Sequence, residues 1–311
     1  MLYLDPKNDL TFKKIFGEHP NLLMSFLNSL LPLEDDELIV SIEYLSPEMV
    51  PDIPLFKDSM VDVRCFDKKG RNFIVEMQML WTDSFKSRVL FNAAKAYVRQ
   101  LEKGEKYKAL QPVYALSIVN ENFETSANFY HHYKIVCTEN DNKQLKGLEF
   151  IFVELPKFKP EKMVAKRLNV LWLRFLKEMK DKKRGIDIPQ EFLNDPEIKE
   201  ALECLEESSF SPSQLDYYDK YWDYVSREKT LREDNYDKGI AVGVETGFLQ
   251  GEEIGLQKGE EIGLQKGEEI GLQKSKTLGI QKALTRGKLS IEEIAEDFEV
   301  NVEFVLNIKN K

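Results

Sequence analysis

Residues Met60 to Met79 read MVDVRCFDKKGRNFIVEMQM, and this stretch decides the fold. Apolar and polar side chains alternate in Met60–Phe66 and again in Arg71–Met79, which is the period-two pattern of β-strands. Asp67–Gly70 separates the two segments, and Gly70 can take the positive φ that a tight turn requires. The stretch therefore predicts a β-hairpin.

Two carboxylates are expected to meet across this hairpin. A turn centred on Lys69 places Val63 opposite Val75, and the next pair outward is then Asp62 and Glu76. Directly opposed side chains have Cβ atoms roughly 4.5 to 5.5 Å apart, where like charges are destabilising. A divalent cation would offset the repulsion, since Mg²⁺ is typically held by one or two carboxylates, with water and substrate phosphate as its other ligands. The alternative interpretation is a solvated polar face on an antiparallel sheet.

Four further polar residues bear on a metal site. Gln78 lies on the same face as Glu76 and is placed to orient a water. Asp9 begins an apolar helical segment, and it either caps that helix or adds a further carboxylate to the metal site. His131 and His132 are adjacent, so on a strand they face opposite sides and cannot both bind one metal. We expect structural roles for both histidines.

Composition bounds the class of protein. The chain has 311 residues, of which 42% are hydrophobic and 32% charged, which is typical of a soluble globular protein of about two domains. The net charge of −10 argues against a tight, non-specific nucleic-acid binder. An enzyme with a local basic groove is still compatible with that charge.

The cysteines and the hydropathy pattern indicate the compartment. Cys65, Cys137 and Cys204 are far apart and include no CxxC pair, which fits a reducing cytosol better than a disulfide scaffold. We find neither a signal peptide nor an apolar run of about 18 residues. The expectation is a cytoplasmic protein without a membrane span.

The N-terminal half predicts a mixed order of helices and strands. Its elements, in chain order, are two short helices in Asp9–Leu31, a strand at Leu38–Leu45, a loop containing Pro47, Pro51 and Pro54, the hairpin, a helix from Thr82 or Ser84 to about Lys103 ended by Gly104, a strand at Gln111–Val119, and a strand pair at Lys134–Cys137 and Glu149–Leu155. This order predicts an α/β domain with one central sheet.

The next part of the chain is helical. Helices are predicted at Val164–Met179, from Asp195-Pro196 onward and from Ser213 onward. The last of them carries Tyr217, Tyr218, Tyr221 and Trp222, which we interpret as core residues rather than a platform for stacking bases. These helices are expected to form a layer against the sheet.

A repeat begins at Gly239, where glycine recurs at every fourth residue. The unit GEEIGLQK occurs three times between Gly251 and Lys274, and 11 of the 16 glycines fall in this region. Each glycine costs a helix about 0.8 to 1 kcal/mol relative to alanine, but small residues also let a second helix approach closely. Two interpretations stay open, a mobile, partly helical spacer and an oligomerisation helix.

The chain ends in a predicted pair of short helices within Ser290–Ile308. Ser290 and Glu293 have the spacing of a capping box. The pair is similar to a helix-turn-helix, although its acidic character makes protein contact at least as good an interpretation as DNA reading.

Several of these features together resemble a known family. They are Asn8-Asp9 with Phe12-Lys13, VDVRC with Asp62, IVEMQM with Glu76 and Gln78, Arg88–Tyr97 on the following helix, and the glycine-periodic tail. The chain resembles over essentially its whole length the Rpn family of recombination-promoting nucleases, also labelled transposase-like, of the PD-(D/E)XK nuclease superfamily.

The resemblance implies an α/β fold with a restriction-endonuclease-like core, in which a mixed central sheet is flanked by helices and followed by a helical region and a helical tail. It also implies Mg²⁺-dependent, or Mn²⁺-dependent, cleavage of DNA. By motif, Asp62 and Glu76 would ligate the metal, and Gln78 would occupy the position where the wider superfamily has lysine.

The glutamine leaves a positive charge to be found elsewhere, since an amide is neutral. Lys86, Arg88 and Lys95 on the next helix are the candidates. The spacing does not decide among them.

The resulting prediction is a metal-dependent DNA endonuclease linked to recombination, transposition or phage defence, and homo-oligomeric through its tail. The alternatives are a catalytically silent nuclease-fold scaffold or regulatory assembly protein acting through its tail, and a sequence-specific DNA binder acting through Ser290–Ile308. The predicted parts are a nuclease-like domain at 1–160, a helical layer packed on it at 161–235, a glycine-periodic tail at 236–289, helical or mobile, and a helix-turn-helix-like pair at 290–311.

Overall fold

A computed structural model describes residues 2–46, 48–49, 59–102, 104–160, 167–179, 182–183 and 188–310. The chain forms two compact units, Met1–Thr230 and Leu231–Lys311. The first unit contains the sheet and the residues predicted to form the site. The second contains the glycine repeat and the C-terminal helix pair.

The strands form one main sheet and two small pairs. Their bounds are β1 (Leu2–Tyr3), β2 (Ile42–Tyr44), β3 (Glu48–Met49), β4 (Ser59–Met60), β5 (Val63–Asp67), β6 (Asn72–Gln78), β7 (Val113–Val119), β8 (Tyr130–Cys137), β9 (Asn140–Glu154) and β10 (Lys182–Lys183). Within the described residues, the main sheet has the order β2-β5-β6-β7-β9-β8, and β1 pairs with β10 and β3 with β4.

The predicted hairpin forms the middle of this sheet. β5 and β6 are antiparallel, and Val63 lies opposite Val75 as the sequence predicts. Gly70 has a φ of +79° in the turn, a conformation that glycine adopts without a steric penalty. The register of the two strands is therefore confirmed.

The sheet is mixed because the hairpin is followed by a crossover. β6, β7 and β9 run parallel, whereas β2, β5 and β8 are antiparallel to their neighbours. A parallel neighbour cannot be reached by a tight turn, so a helix connects β6 to β7 across one face of the sheet. That helix covers the polar face of the hairpin.

The helices are α1 (Asp9–Glu18), α2 (Pro20–Leu30), α3 (Phe85–Val98), α4 (Arg167–Glu178), α5 (Gln190–Asn194), α6 (Pro196–Cys204), α7 (Pro212–Arg286), α8 (Ile291–Asp297) and α9 (Val302–Lys309). Local signals explain several of their ends. Asn8 caps α1 by accepting a hydrogen bond from the Leu10 amide at 3.0 Å. The Asp195 side chain caps α6 in the same way, with Pro196 at its start.

The core lies on both faces of the sheet. On one face, Val63, Phe73 and Val75 pack with the first helices and with α4, whose Trp172 is fully buried. The Trp172 ring lies 5.4 Å from that of Phe16. On the other face, Ile74 packs with α3. Strand β6 is therefore covered on both sides, as is usual where parallel strands meet.

Some predicted boundaries are wrong. α3 ends at Val98 rather than near Lys103, and Lys103 itself lies outside the described residues, as do Pro47, Pro51 and Pro54 and residues 164–166 of the predicted Val164–Met179 helix. The strand predicted at Leu38–Leu45 is limited to Ile42–Tyr44, while β8 and β9 begin earlier than predicted. The alternation predicted for Met60–Phe66 places Val61 and Val63 on one face. In the structure Val61 precedes the first residue of β5 and packs with Ile74 on the other face.

The second unit has a small core at its C-terminal end. Ile280 packs with Ile294 and Val305, and Ser290 with Glu293 forms the predicted capping box. A Cβ built on Gly279 would lie 2.4 Å from the Phe298 ring, so only glycine allows that ring to pack against the helix. The short helices therefore fold back onto the end of α7.

Candidate functional site

The site lies at the open end of the hairpin, which is the end away from the turn. Asp62 directly precedes β5, and Glu76 and Gln78 are among the last residues of β6. The Asp62 carboxylate accepts a hydrogen bond from the Met77 amide at 2.6 Å. Since Val63 is paired with Val75, this bond holds Asp62 beside the segment that carries Glu76.

The polar face of the hairpin is buried. Glu76 is only 5% exposed, and its neighbour Ile74 is covered by Val89 and Ala93 of α3. The alternative of a solvated polar face is therefore wrong for Glu76. Burying a carboxylate is costly unless it is paired, hydrogen-bonded, protonated or bound to a metal.

One oxygen of Glu76 is left for a ligand. Its Oε1 accepts a hydrogen bond from Asn92 Nδ2 at 3.1 Å. No donor among the described residues hydrogen-bonds to Oε2, and the nearest cation, Arg88 Nη2, is 3.9 Å away. Burial raises the pKa of Glu76, while Arg88 and Asn92 oppose that shift. A buried acceptor without a donor can be satisfied by a bound cation or by an ordered water.

The two carboxylates are electrostatically coupled. Burial raises the pKa of Asp62 to about 7, and the negative charges of Glu76 and Asp9 contribute to that rise. The Met77 amide and Lys13 act in the opposite direction. Such a shift is typical of carboxylates gathered at a site that needs a positive charge.

Asp9 lies near these carboxylates but has partners of its own. Its carboxylate contacts Lys13 Nζ at 2.8 Å and accepts a hydrogen bond from the Tyr217 hydroxyl at 2.9 Å. The interpretation that Asp9 caps α1 is wrong, because Asn8 occupies that position. A cavity of about 390 Å³ opens beside Asp9 and Lys13, so this edge of the site is accessible from solvent.

The described part of the chain holds no group of three or more His, Cys, Asp or Glu residues arranged for a metal ion. The structure therefore brings Asp62 and Glu76 together without building a complete protein cage. A role for Asp9 as a third carboxylate ligand stays a prediction.

Both polar atoms of the Gln78 side-chain amide are hydrogen-bonded. Its Nε2 donates to the Leu80 carbonyl, and its Oε1 accepts from Arg88 Nη2 at 2.7 Å. Of the three candidate cations, Arg88 lies against Gln78 and Glu76. Lys86 instead pairs with Glu124, and Lys95 lies over the Phe91 ring.

The sequence patterns assigned no role at the site to Asn92 or Lys13. The prediction that Tyr217 is a core residue is wrong, because its side chain is 48% exposed and its hydroxyl donates to Asp9. Asn92 is 1% exposed and follows Arg88 by four residues, so both lie on one face of α3. A single asparagine in the otherwise apolar stripe of that helix was the available signal. Tyr217 could not be found in this way, because α7 is distant from the hairpin in sequence.

The histidines have the structural roles predicted. His131 Nε2 lies 2.7 Å from Glu154, and His132 Nε2 lies 2.7 Å from Glu149. Tyr218 is buried and its hydroxyl accepts a hydrogen bond from the Asp5 amide at 2.9 Å, which confirms that this tyrosine belongs to the core.

Comparison with known proteins identifies the family. No helix of the described residues is long and apolar enough to cross a membrane. Neither the curated proteins nor the solved structures yielded a significant match. The family model described as PD-(D/E)XK nuclease family transposase matches residues 6–236, which include the whole main sheet and the site. The mixed sheet flanked by helices agrees with that fold, and the family indicates a nuclease or transposition-related function. The chain therefore belongs to the PD-(D/E)XK nuclease family transposases.

Proposed function

We propose that this protein is a divalent-metal-dependent DNA endonuclease whose metal is held by Asp62 and Glu76. The observation that carries the proposal is the buried Glu76 Oε2, which has no hydrogen-bond donor among the described residues. It lies next to a second carboxylate whose pKa is raised by burial and by Glu76 itself. A dication satisfies the orphan oxygen and lowers the repulsion at the same time.

The donor set fits Mg²⁺ or Mn²⁺. Both are hard cations that prefer oxygen ligands, and Mg²⁺ commonly uses one or two carboxylates with water and substrate phosphate. The pair Asp62 and Glu76 matches that pattern, since the described residues hold no group of three or more His, Cys, Asp or Glu arranged for a metal ion. When bound, the metal supplies charge stabilisation on the phosphate and activation of a water.

The reaction is hydrolysis of a DNA phosphodiester. The oxygen of a water forms a bond to phosphorus and one P–O ester bond breaks. One water proton passes to the leaving oxygen. Asp62 and Glu76 would hold the metal through their carboxylate oxygens, and Gln78, being a neutral amide, supplies neither a base nor a cation.

The test is nicking of supercoiled plasmid in Mg²⁺ or Mn²⁺ by the wild type, Asp62→Asn and Glu76→Gln. Asp83→Asn is the matched control, because Asp83 is exposed and lies outside the site. We expect the control to cleave like the wild type and both site variants to lose at least about 10²-fold in rate, since removing one charge-stabilising group commonly costs that much. Thermal melting with and without Mg²⁺ adds a second readout, since the metal should stabilise only proteins with both carboxylates.

Equal cleavage by the wild type and Asp62→Asn would remove the site assignment. Absence of cleavage over a range of Mg²⁺ and Mn²⁺ concentrations would favour the silent scaffold instead. The recombination-promoting subtype and a role in phage defence remain predictions from the resemblance. So does a cytoplasmic location.

The tail is proposed to join copies of the chain. Nine glycines from Gly239 to Gly271 have no atom within 4 Å of the position that a Cβ would occupy, so no contact within the described residues requires them. Together they cost the helix roughly 7 to 9 kcal/mol relative to alanine. Apolar side chains between them, including Ile254, Leu256, Ile262 and Leu264, are exposed. A second helix packed on the glycine ridge would use both features.

Replacing Gly251, Gly259 and Gly267 by alanine separates the two interpretations of the tail. If the ridge is an interface, helicity measured by circular dichroism rises while the mass measured by light scattering falls to that of a monomer. A spacer gives a monomer in both proteins. Alanine at the exposed Gln257, Gln265 and Gln273 is the control, which should leave the mass unchanged.

DNA reading by Ser290–Ile308 is the weaker alternative. Ile294 and Val305 of this pair are used in packing against Ile280. A role as the folded end of α7 therefore accounts for its apolar residues. We expect a protein truncated before Ser290 to retard DNA in a gel to the same extent as the full chain.

A further inference from the structure

Arg88 presents a guanidinium to solvent at the edge of the site. Its side chain is 50% exposed, while its guanidinium carbon lies 4.9 Å from the centre of the Phe85 ring. Its Nη2 donates to Gln78 Oε1 at 2.7 Å. The head group is therefore held in one place although it is open to solvent.

Arg88 is not simply the counter-ion of Glu76. The 3.9 Å separation between Nη2 and Oε2 is too long for a hydrogen bond, and Glu76 takes its hydrogen bond from Asn92 instead. Among the described residues, the Arg88 side chain donates to the neutral amide of Gln78. A guanidinium has five N–H donors, so most of them remain for a ligand.

The nearby lysines are differently engaged. Lys86, on the same helix, pairs with Glu124 and lies over the Phe123 ring. Lys13 pairs with Asp9 on the other side of the site. Arg88 is thus the cation that the described structure holds against Glu76 and Gln78 without a carboxylate at hydrogen-bonding distance.

We propose that Arg88 binds the phosphate that is cut, and that Gln78 is a positioning residue that aims the guanidinium. This inference rests on the proposed nuclease function and names the source of the positive charge. A guanidinium matches the paired oxygens of a phosphate better than an ammonium does. It stabilises the charge that develops on the phosphate oxygens.

Cleavage kinetics provide the first test. Arg88→Ala should lower kcat by about 10²- to 10³-fold, the usual effect of removing one donor to a developing oxyanion. Arg88→Lys should recover part of that loss, and Gln78→Ala should lose less than Arg88→Ala. Lys68→Ala is the control, because it removes an exposed cation from the turn at the opposite end of the hairpin.

Chemical rescue distinguishes a phosphate ligand from a structural role. Guanidinium chloride at low millimolar concentration should restore part of the activity of Arg88→Ala, and sodium chloride should not. The double variant Gln78→Lys/Arg88→Ala returns a cation to the same place and should cleave faster than Arg88→Ala. The thermal shift with Mg²⁺ should be retained in all of these proteins, since both carboxylates are intact.

DNA binding gives a readout that needs no cleavage. The assay is fluorescence anisotropy of a labelled duplex, with Ca²⁺ in place of Mg²⁺. Binding by Arg88→Ala should depend less on salt than binding by the wild type. The slope of log K against log salt should become less negative by about 0.9, which corresponds to the loss of one phosphate contact. If the wild type is active and Arg88→Ala has the same rate and the same salt slope, the assignment of Arg88 is overturned. Loss of activity without rescue, together with loss of the Mg²⁺ shift, would make Arg88 structural. A wild type that neither cuts nor binds DNA would instead overturn the proposed function and this inference with it.

Discussion

Replacing Asp62 with asparagine should stabilise the metal-free protein. Burial together with the charges of Glu76 and Asp9 raises the pKa of Asp62 from 3.8 to about 7. A shift of one unit corresponds to about 1.36 kcal/mol, so ionising Asp62 above pH 7 costs the folded state at most about 4 kcal/mol. Because Asp62 is partly exposed, solvent screening reduces the cost of ionising it in the folded state, which we expect to be roughly 2 to 4 kcal/mol. Asparagine removes the charge and can still accept the hydrogen bond from Met77.

The sign of the pH dependence follows from the raised pKa. The folded protein keeps a proton on Asp62 that the unfolded chain releases as the pH rises from about 4 to 7. The wild type therefore loses stability as the pH rises over this range. Asp62→Asn has no carboxylate at this position, so its stability should not fall for this reason. The advantage of the variant should be below about 1 kcal/mol at pH 4 and should reach its maximum near pH 8.

Urea unfolding and thermal melting in EDTA at pH 4 and pH 8 measure this difference. For a unit of this size, about 2 to 4 kcal/mol corresponds to a rise in Tm of roughly 5 to 10 °C at pH 8. Asp83→Asn, an exposed site, should show no such pH-dependent gain. A variant that is less stable than the wild type at both pH values, or a gain equal at both, would refute the argument that the ionised Asp62 destabilises the fold.

Two further predictions concern packing and the carboxylate environment. Gly279→Ala should lower the melting temperature of the C-terminal unit because its Cβ would meet the Phe298 ring at 2.4 Å, whereas Gly271→Ala, with nothing within 4 Å, should stabilise the helix by about 1 kcal/mol. Circular dichroism melting of the two full-length variants checks both signs, and destabilisation by both would contradict them. Asn92→Ala removes the hydrogen bond that lowers the pKa of Glu76, so the acid limb of the pH–rate profile should move to higher pH. An unmoved acid limb would show that Glu76 does not need to be ionised.

Local sequence patterns were sufficient for much of the sheet. The hairpin register follows from alternation and from a turn that needs glycine at Gly70, so Val63 meets Val75 as predicted. The capping box at Ser290 could also be predicted, because it depends only on the spacing of Ser290 and Glu293. Boundaries such as the end of α3 at Val98 were less accurate, because the end of a helix depends on the contacts made by the next segment.

The site shows a sharper division between local and distant effects. The pattern around the hairpin predicts Asp62, Glu76 and Gln78 as site residues, but it could not show that α3 buries Glu76 or that Asn92 donates to one of its oxygens. It also left Lys86, Arg88 and Lys95 equivalent as cations. The choice depends on rotamers and partners, since Glu124, contributed by a distant segment, pairs with Lys86.

By itself, then, the sequence determined the hairpin, its register and the repeat of small residues in the tail, because these depend on spacing along a strand or a helix. Tertiary structure decided which glycine lies against a ring, which carboxylate oxygen is left without a donor, and which cation faces it. Those properties depend on residues brought together by folding from distant parts of the chain. The charge of Asp62 belongs to the second group, since its pKa is set by burial and by neighbours that no local pattern contains.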